Sequence, residues 1–357
     1  MKIATLTFHN AINYGAILQA IALPQAIQKR YPQNEVGILD YRNPKIEEKF
    51  KPFYIKKTKS MTKKGKALIH AFLVYGMRSK KKKSFAKFLN DNVQLFPYTT
   101  KDEIDKYIVG SDQIWNFDLS DNDETYLLKF ISDRNKKHAY APSIGKTELS
   151  TEEKEKLQAI KDFTTLSARE ETAVKLIKEI DGRTPILVPD PVFLLTADEW
   201  REKEERYPNI PDKYVLVYKF SDNDKPLTDF ACQYARSHQL PLVIVQNSLK
   251  KYKDAVIIND ASPNQFLWLI DNAQLIVTNS FHGTAFSIVF EKEFYSETHV
   301  SRSTRITEIL NLYKLSSHIM KDGKPSDNIS APREEVRKII EQYRQKAFQY
   351  LDNIIRS

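Results

Sequence analysis

Cysteine is almost absent from the chain, with Cys232 the only one among 357 residues. A single thiol excludes an internal disulfide framework and a zinc site built from four cysteines. Cys232 lies in an apolar, helix-like stretch over 230–235, so we expect a packed thiol rather than a nucleophile. This cysteine usage fits a reducing, cytoplasmic setting best.

Long apolar runs and nucleotide-binding motifs are absent as well. No stretch approaches the roughly 18 apolar residues that cross a membrane, and His9 and Asn10 break the N-terminal run too early for a signal peptide. There is no G-x-x-x-x-G-K-[ST] loop, G-x-G-x-x-G turn or G-x-S-x-G elbow, and no cluster with metal-ligand spacing. We therefore predict a cytoplasmic protein with no metal and no cofactor.

Acidic residues are missing from one segment, 51–90, which carries twelve lysines and Arg78. The net charge of the whole chain is +9, so the remainder is net negative. Inside the segment an apolar run, 67–77, has lysines on both sides. This pattern suggests docking on an anionic membrane surface, with each nearby cation adding about 1 kcal/mol. A solvated helical hairpin is the alternative, and nucleic acid is disfavoured because no nucleic-acid motif accompanies the charge.

Strands and helices alternate on both sides of a proline-marked stretch, 206–211, which predicts an α/β fold of two doubly wound, Rossmann-like domains. We place the first domain at 1–205, with the basic insertion, and the second at 206–357, ending in an amphipathic helix that could pack back across the interface. Individual expectations are a helix over 16–29 that Pro24 kinks or divides, a helix over 151–161, a strand over 164–170, a helix over 283–291 and a C-terminal helix over 332–355.

Glycine is scarce, nine in all, yet four of the nine fall in loops that follow predicted strands. These loops are 9–15, 110–116, 143–145 and 278–284. Because ligands of open α/β folds bind beyond the carboxyl ends of the strands, the concentration of glycine there indicates a cleft.

The 278–284 loop is the most informative of the four. It joins a predicted strand to a helix N-terminus, whose unpaired amides favour an anion. Gly283 permits close approach to the backbone, and His282 titrates near neutrality. Together with Asp112 and three arginines near helix starts, these residues predict an anionic small molecule bound between the domains. The arginines are Arg169, Arg302 and Arg305.

Five motifs occur in an order that resembles the polysaccharide pyruvyl transferase family, over residues 3 to about 310. They are Asn13-Tyr14-Gly15, Gly110-Ser-Asp-Gln-Ile-Trp-Asn116, Ser167-Ala-Arg-Glu170, Asp190-Pro191 and Thr278-Asn-Ser-Phe-His-Gly-Thr284. The resemblance implies a GT-B-like fold. It also implies transfer of the enolpyruvyl unit of phosphoenolpyruvate onto two sugar hydroxyls as a ketal, with lipid-linked precursors of surface polysaccharides as typical acceptors.

The resemblance assigns roles to the candidate residues. His282 is expected to act as the acid and Asp112 to orient or deprotonate a sugar hydroxyl. The donor's phosphate and carboxylate are expected to meet Arg169, Arg305 and, less directly, Arg302, together with the turn residues Asn279, Ser280, Gly283 and Thr284. The acceptor side is expected to be Asn13, Gly15 and Gln113.

Other readings stay open. Asp112 could be an Asx-turn residue, and Arg169 with Glu170 a surface pair. At the level of function, the alternatives are a GT-B-like glycosyltransferase that uses a sugar nucleotide, and a diverged, non-catalytic binder of a polysaccharide precursor.

Overall fold

The fold is described from a computed structural model of the chain. It describes residues 1–55, 61–219, 224–298, 303–326 and 331–356. Two large β-sheets, one in each half of the chain, carry helices on both faces.

The first sheet has five parallel strands in the order β3-β2-β1-β4-β5. Its strands are β1 (Lys2–Leu6), β2 (Glu35–Asp40), β3 (Gln94–Pro97), β4 (Lys106–Val109) and β5 (Lys137–Ala139). The helices that accompany it are α1 (Tyr14–Arg30), α2 (Pro44–Lys49), α3 (Met61–Asn92) and α4 (Phe117–Ser120). This strand order, with β1 at the centre, is that of a doubly wound domain.

A connecting region follows the first sheet. It holds α5 (Thr151–Leu157), α6 (Glu171–Asp181) and α7 (Ala197–Arg201), and a parallel pair of two-residue strands, β6 (Ser167–Ala168) and β7 (Ile186–Leu187). The residues that follow the carboxyl ends of β6 and β7 face the second half of the chain.

The second sheet has seven strands in the order β10-β9-β8-β11-β12-β13-β14, parallel except for the last pair. Its strands are β8 (Val215–Tyr218), β9 (Leu242–Val245), β10 (Ala255–Ile258), β11 (Leu275–Thr278), β12 (Phe294–Glu297), β13 (Ile319–Lys321) and β14 (Lys324–Pro325). Its helices are α8 (Lys225–Ser237), α9 (Pro263–Asp271), α10 (Phe281–Val289) and α11 (Ser303–Leu312), and α12 (Arg333–Arg356) ends the chain.

Each sheet is buried on both faces, as parallel sheets require. One apolar cluster is shared between the two domains and includes Ile17, Leu216 and Leu351. Two further clusters fill the outer face of the first sheet and the outer face of the second. The prediction of two doubly wound, Rossmann-like domains is confirmed.

The C-terminal helix α12 leaves the second domain and returns to the first, as the sequence suggested. The hydroxyl of Tyr350 donates to the carbonyl of Ala139 at 2.7 Å, and the Asp352 carboxylate accepts from Arg30 at 2.6 Å. The chain therefore ends on the domain in which it began.

Several element boundaries differ from the predictions. Helix α1 is not divided at Pro24, because apolar residues on both sides of the proline are buried in the shared cluster and hold the helix together. The helix expected over 151–161 ends at Leu157 and continues as a 3-10 turn. The strand expected over 164–170 pairs only at Ser167 and Ala168. Where the structure describes the basic segment, at 51–55 and 61–90, it shows most of a single 32-residue helix, Met61–Asn92, in place of the helical hairpin given as the alternative.

Candidate functional site at the domain junction

His282 lies in the first turn of α10, at the carboxyl end of β11. The hydroxyl oxygen of Ser280 accepts from the amide of Gly283 at 3.2 Å and caps the helix. The imidazole of His282 is buried against Gly15 at the start of α1, where a Cβ atom would lie 2.1 Å from its Nδ1. Only glycine leaves room for the ring at that position.

A buried carboxylate, Asp190, stands at the centre of a charged cluster. Its Oδ2 accepts from Nη1 of Arg169 at 2.6 Å and from the Ser111 hydroxyl at 3.3 Å, and lies 3.5 Å from Nε2 of His282. The side chains of Asp190 and Arg169 are 0% and 2% exposed. Since Arg169 follows β6, Asp190 follows β7 and His282 follows β11, the cluster joins the two domains.

The cluster keeps its charges despite burial. Burial alone would raise the pKa of Asp190, but the attraction of His282 and Arg169 outweighs it and lowers that pKa well below its ordinary value. Burial alone would lower the pKa of Arg169, but the charges of Asp190, Glu170 and Asp112 outweigh it and raise that pKa. Asp190 is therefore an anion and Arg169 a cation in the folded protein.

Two buried nitrogens of the cluster have no hydrogen-bond acceptor among the described residues: Nη2 of Arg169 and Nε2 of His282. The second faces Asp190 at a distance longer than an ordinary hydrogen bond. Buried donors are nearly always bonded, so an unpaired pair at a domain junction indicates room for a ligand with acceptor oxygens. A phosphate or a carboxylate fits this requirement.

A second arginine, Arg305 of α11, lies on the same side of the cluster. The ring of Phe281 lies near both guanidinium groups, with its centroid 4.3 Å from Cζ of Arg169 and 5.8 Å from Cζ of Arg305. With its amide oxygen turned toward α11, Gln113 accepts from both terminal nitrogens of Arg305 at 3.1 Å. A pocket of about 30 Å³ opens here, lined in part by Arg169, Asp190, Phe281 and Arg305.

Asp112 lies beside this cluster, next to Ser111, with a positive φ of 73°. Its Oδ1 accepts from the amide of Gln113, the next residue, at 2.8 Å, whereas an Asx-turn would use the amide two residues on. Its charge nevertheless contributes to the raised pKa of Arg169.

Other predicted site residues are engaged in the fold. The side-chain oxygen of Asn13 caps α1 by accepting from the amide of Ala16 at 3.1 Å. The amide of Asn279 donates to the Asp224 carboxylate. The Thr284 hydroxyl donates to the Ser280 carbonyl at 3.0 Å, one turn earlier in the chain.

The close packing of Gly283 has a structural cause too, because a Cβ there would lie 2.4 Å from the Thr278 hydroxyl oxygen. Arg302 lies outside the described residues. The structure thus brings together His282, Arg169, Gly15, Arg305, Gln113 and the Asp112 loop, whereas Asn13, Asn279, Ser280, Gly283 and Thr284 have structural partners around them.

Asp190 is the residue whose place the sequence did not reveal. The Asp190-Pro191 pair is recognisable in the sequence as a motif. The sequence does not show that the carboxylate of Asp190 lies between Arg169 and His282. A second buried pair, His9 and Asp40, joins the ends of β1 and β2 at 2.9 Å. The other ring nitrogen of His9 faces the Thr7 carbonyl, so His9 offers no free nitrogen to a ligand.

Two further features lie apart from the cluster. Among the residues that the structure describes, no group of three or more His, Cys, Asp or Glu side chains could hold a metal ion. A cavity of about 310 Å³ lies between α10, β12 and the start of α12, lined in part by His318, Arg333 and Arg337. None of the predicted site residues lines it, so we place the candidate site at the domain junction.

Comparisons with known proteins address the family and the fold. The sequence profile of the family described as "Polysaccharide pyruvyl transferase" matches residues 13–299. No curated protein shows significant similarity to the chain.

Solved structures show the fold alone. The UDP-GlcNAc 2-epimerase of Neisseria meningitidis, bound to UDP-GlcNAc, is 12% identical with a TM-score of 0.51, over 99% of this chain and 93% of that one. S. aureus MnaA in a co-structure with UDP is 10% identical with a TM-score of 0.51, over 96% of this chain and 87% of that one. The GT-B-like fold is confirmed.

Proposed function

The chain belongs to the polysaccharide pyruvyl transferase family, and from this premise we propose that it transfers the enolpyruvyl group of phosphoenolpyruvate to a sugar. The product is a pyruvate ketal on a surface polysaccharide or on its lipid-linked precursor. The observation that carries the proposal is the buried pair of unpaired nitrogens, Nη2 of Arg169 and Nε2 of His282, beside the fixed charge of Asp190.

Phosphoenolpyruvate carries a phosphate and a carboxylate, so it needs at least two cationic groups at a fixed separation. Arg169 and Arg305 lie near the ring of Phe281 and supply two guanidinium groups. In our account Arg169 binds one anionic group through its unpaired Nη2, and Arg305 binds the other.

The reaction needs acid catalysis at carbon and a leaving phosphate. A sugar hydroxyl loses its proton and its oxygen bonds to the central carbon of the enolpyruvyl unit, while the methylene carbon gains a proton and becomes a methyl group. The second hydroxyl then replaces phosphate at the same carbon, and its proton leaves with the phosphate. We assign the proton transfer to His282, since histidine is the side chain that most often acts as a general acid and base and its Nε2 has no hydrogen-bond acceptor among the described residues.

Asp190 and Asp112 take separate parts in this account. Asp190 orients the imidazole of His282 and compensates its charge when the ring carries the proton. Asp112, on the first domain, orients the acceptor hydroxyl or takes its proton. It does so through the carboxylate oxygen that does not accept from Gln113. We assign Gln113 and Asn13 to the acceptor side.

The experiment compares phosphate release from phosphoenolpyruvate with and without a panel of lipid-linked or aryl glycosides. We expect acceptor-dependent release by the wild type and a loss on the order of 10²–10⁴-fold in His282→Gln. His238→Gln, at an exposed histidine of the second domain, is the matched control and should retain full activity.

The alternatives differ in the donor. A glycosyltransferase would bind a sugar nucleotide, and the structural relatives include a protein bound to UDP-GlcNAc, so UDP-GlcNAc is the donor to compare. If UDP-GlcNAc raises the melting temperature and phosphoenolpyruvate does not, the pyruvyl transfer assignment is wrong. If a sugar precursor binds but neither donor is consumed, the chain is a diverged binder.

A further inference from the structure

The N-terminal half of α3 exposes a group of large apolar side chains. Ile69, Phe72 and Leu73 are 62%, 66% and 67% exposed, and Leu68 and Tyr75 are 41% and 51% exposed. We call these five residues the α3 patch. Single exposed apolar residues are ordinary, but five on neighbouring turns form a patch of the kind that marks an interaction site.

The α3 patch covers one side of the helix. At 100° per residue its members span roughly 160° of the helix circumference. Ala71 and Val74, on the other side, are fully buried. The ring of Phe53 lies 5.1 Å from that of Phe72 and extends the patch onto the preceding segment. The exposed apolar side chains therefore form one continuous surface and are not scattered around the helix.

The charge around the patch is of one sign. The segment 51–90 holds thirteen cationic side chains and no acidic residue. Lys63, Lys64 and Lys66 precede the patch on the same helix. An apolar face in a sequence segment whose only charged residues are cations is complementary to a surface that is apolar inside and anionic outside, which describes an anionic lipid bilayer.

The C-terminal half of α3 contacts the second domain through two of its lysines, Lys80 and Lys81. Nζ of Lys80 pairs with the Asp260 carboxylate at 2.6 Å, and Nζ of Lys81 donates to Asn247 at 2.7 Å while Lys81 is 5% exposed. Phe85 and Phe88 are buried in the shared core. A rigid anchor thus presents the α3 patch, and Lys80 and Lys81 are not part of it.

We propose that the α3 patch and the lysines before it form a docking surface for an anionic membrane. The apolar side chains enter the boundary between headgroups and acyl chains, and the lysines meet the lipid phosphates. In the part of the chain that the structure describes, no helix is long and apolar enough to cross a bilayer, so α3 lies on the membrane. The proposal does not depend on which donor the candidate site uses.

Two other partners fit the surface less well. Nucleic acid would engage the lysines, but the aliphatic side chains of Leu68, Ile69 and Leu73 would gain nothing from stacking on bases. A second copy of the chain, related by two-fold symmetry, would set one thirteen-cation segment against another. Like charges at a shared interface oppose that association.

The experiment is flotation of the whole protein with vesicles of phosphatidylcholine, with and without phosphatidylglycerol. We expect the wild type to float only with phosphatidylglycerol and to lose this binding at high salt. Ile69→Ser/Phe72→Ser/Leu73→Ser should weaken binding by at least on the order of a hundredfold. Lys63→Gln/Lys64→Gln/Lys66→Gln should weaken it on the order of a hundredfold.

Two control variants carry the same chemical change elsewhere. Leu119→Ser/Ile186→Ser/Leu249→Ser removes exposed apolar side chains, and Lys161→Gln/Lys175→Gln/Lys178→Gln removes exposed charges. Both should bind vesicles like the wild type. Phosphate release with a water-soluble acceptor should be unchanged in all four variants, which separates a failure of docking from a failure of the proposed reaction.

Three results would overturn the proposal. One is a wild type that stays with the buffer whatever the lipid. Another is a serine variant that floats as well as the wild type. That result would make the attraction to the vesicles purely electrostatic, and nucleic acid would then fit the surface equally well. The third is a lipid-free dimer that the serine variant abolishes, which would give the surface to a second copy.

Discussion

Asp190 is an anion buried between a guanidinium and an imidazole, an arrangement that contributes little to stability by itself. Desolvation costs several kcal/mol per ion, and well-packed apolar residues are often as stable in the place of such a group. The cluster also leaves one nitrogen of Arg169 and one of His282 without an acceptor among the described residues. We therefore attribute its presence to ligand binding.

The variant Asp190→Asn tests the charge of this carboxylate. Because the pKa of Asp190 is lowered in the folded state, its charge stabilises the protein above its ordinary unfolded pKa of about 3.9 and stops doing so as the pH falls toward the folded value. Although the whole cluster contributes little net stability, removal of this one charge leaves Arg169 buried without its partner, so we expect a loss of about 3–5 kcal/mol of unfolding free energy at neutral pH. Urea unfolding at several pH values should show that this loss shrinks below about pH 4.

A difference between the two proteins that is the same at neutral and at acid pH would contradict a charged Asp190.

The variant Gly15→Ala tests the contact between α1 and His282. An added Cβ would lie 2.1 Å from Nδ1 of His282, so the ring must move. We expect a fall of about 10²-fold or more in phosphate release, since displacement by 1 Å can cost that much, with a stability loss of about 1–3 kcal/mol. Gly65→Ala, where a Cβ meets nothing within 4 Å, should leave activity unchanged. Full activity in Gly15→Ala would contradict a role for His282 in the reaction.

The sequence identified the individual reactive side chains better than their partners. His282 and Arg169 could be recognised because each follows a strand and begins a helix, which is a local pattern. That Asp190 lies between them depends on the docking of two domains, and no local pattern encodes it. The hydroxyls of Ser280 and Thr284, which the sequence suggested as ligand contacts, form hydrogen bonds in the first turn of α10, and no local pattern distinguishes these two uses.

Helix α3 is an element whose helical structure could be predicted from the sequence, but whose contacts with the second domain could not. Lysines on both sides of an apolar run suggested a helix with water or membrane around it. The structure instead buries Lys81 beneath the ring of Tyr14, with Nζ 4.5 Å from its centroid. Which lysines of a basic run become interdomain contacts is determined by the second domain.

The variant Lys81→Met tests this buried contact through pH. Burial lowers the pKa of Lys81 to about 7, against about 10.4 in an unfolded chain. Between these values the unfolded state binds one more proton, so the wild type gains stability as the pH rises, by up to about 1.4 kcal/mol per pH unit. We expect Lys81→Met to lack this contribution and to be at least as stable at pH 7.

Urea unfolding between pH 7 and 10 provides the comparison. Parallel stability curves for the two proteins would show that Lys81 titrates normally and is not buried as described. Lys83→Met, at an exposed position of the same helix, should give a curve parallel to that of the wild type.

The two domains form a single folding unit because α12 and the shared apolar cluster connect them. Leu351, in α12, is fully buried in that cluster. We expect Leu351→Ala to lower the unfolding free energy by about 2–5 kcal/mol and to leave one cooperative transition in calorimetry. Gln349→Ala, exposed on the same helix, should change it by less than about 0.5 kcal/mol. Two separate transitions, of which the variant shifts one, would contradict a single unit.

The architecture of the molecule was the most predictable part. Alternating strand and helix patterns, a proline-marked stretch near 206–211 and a charged C-terminal helix were enough to predict two doubly wound domains with a returning helix. The sequence could not predict how tightly the domains close. The pocket between Arg169 and Arg305 is about 30 Å³, far below the roughly 300 Å³ at which small-molecule pockets begin. Entry of the donor that we propose would therefore require the walls of this junction to separate.

The most direct test of the account follows the methylene carbon of isotope-labelled phosphoenolpyruvate by nuclear magnetic resonance in the presence of an acceptor glycoside. We predict that the wild type converts this carbon to the methyl group of a ketal on the sugar, with one phosphate released per ketal, and that His282→Gln does so at least about 10²-fold more slowly. Labelled carbon that appears only in free pyruvate, or a ketal formed equally fast by His282→Gln, would contradict the central claim that this cluster performs pyruvyl transfer.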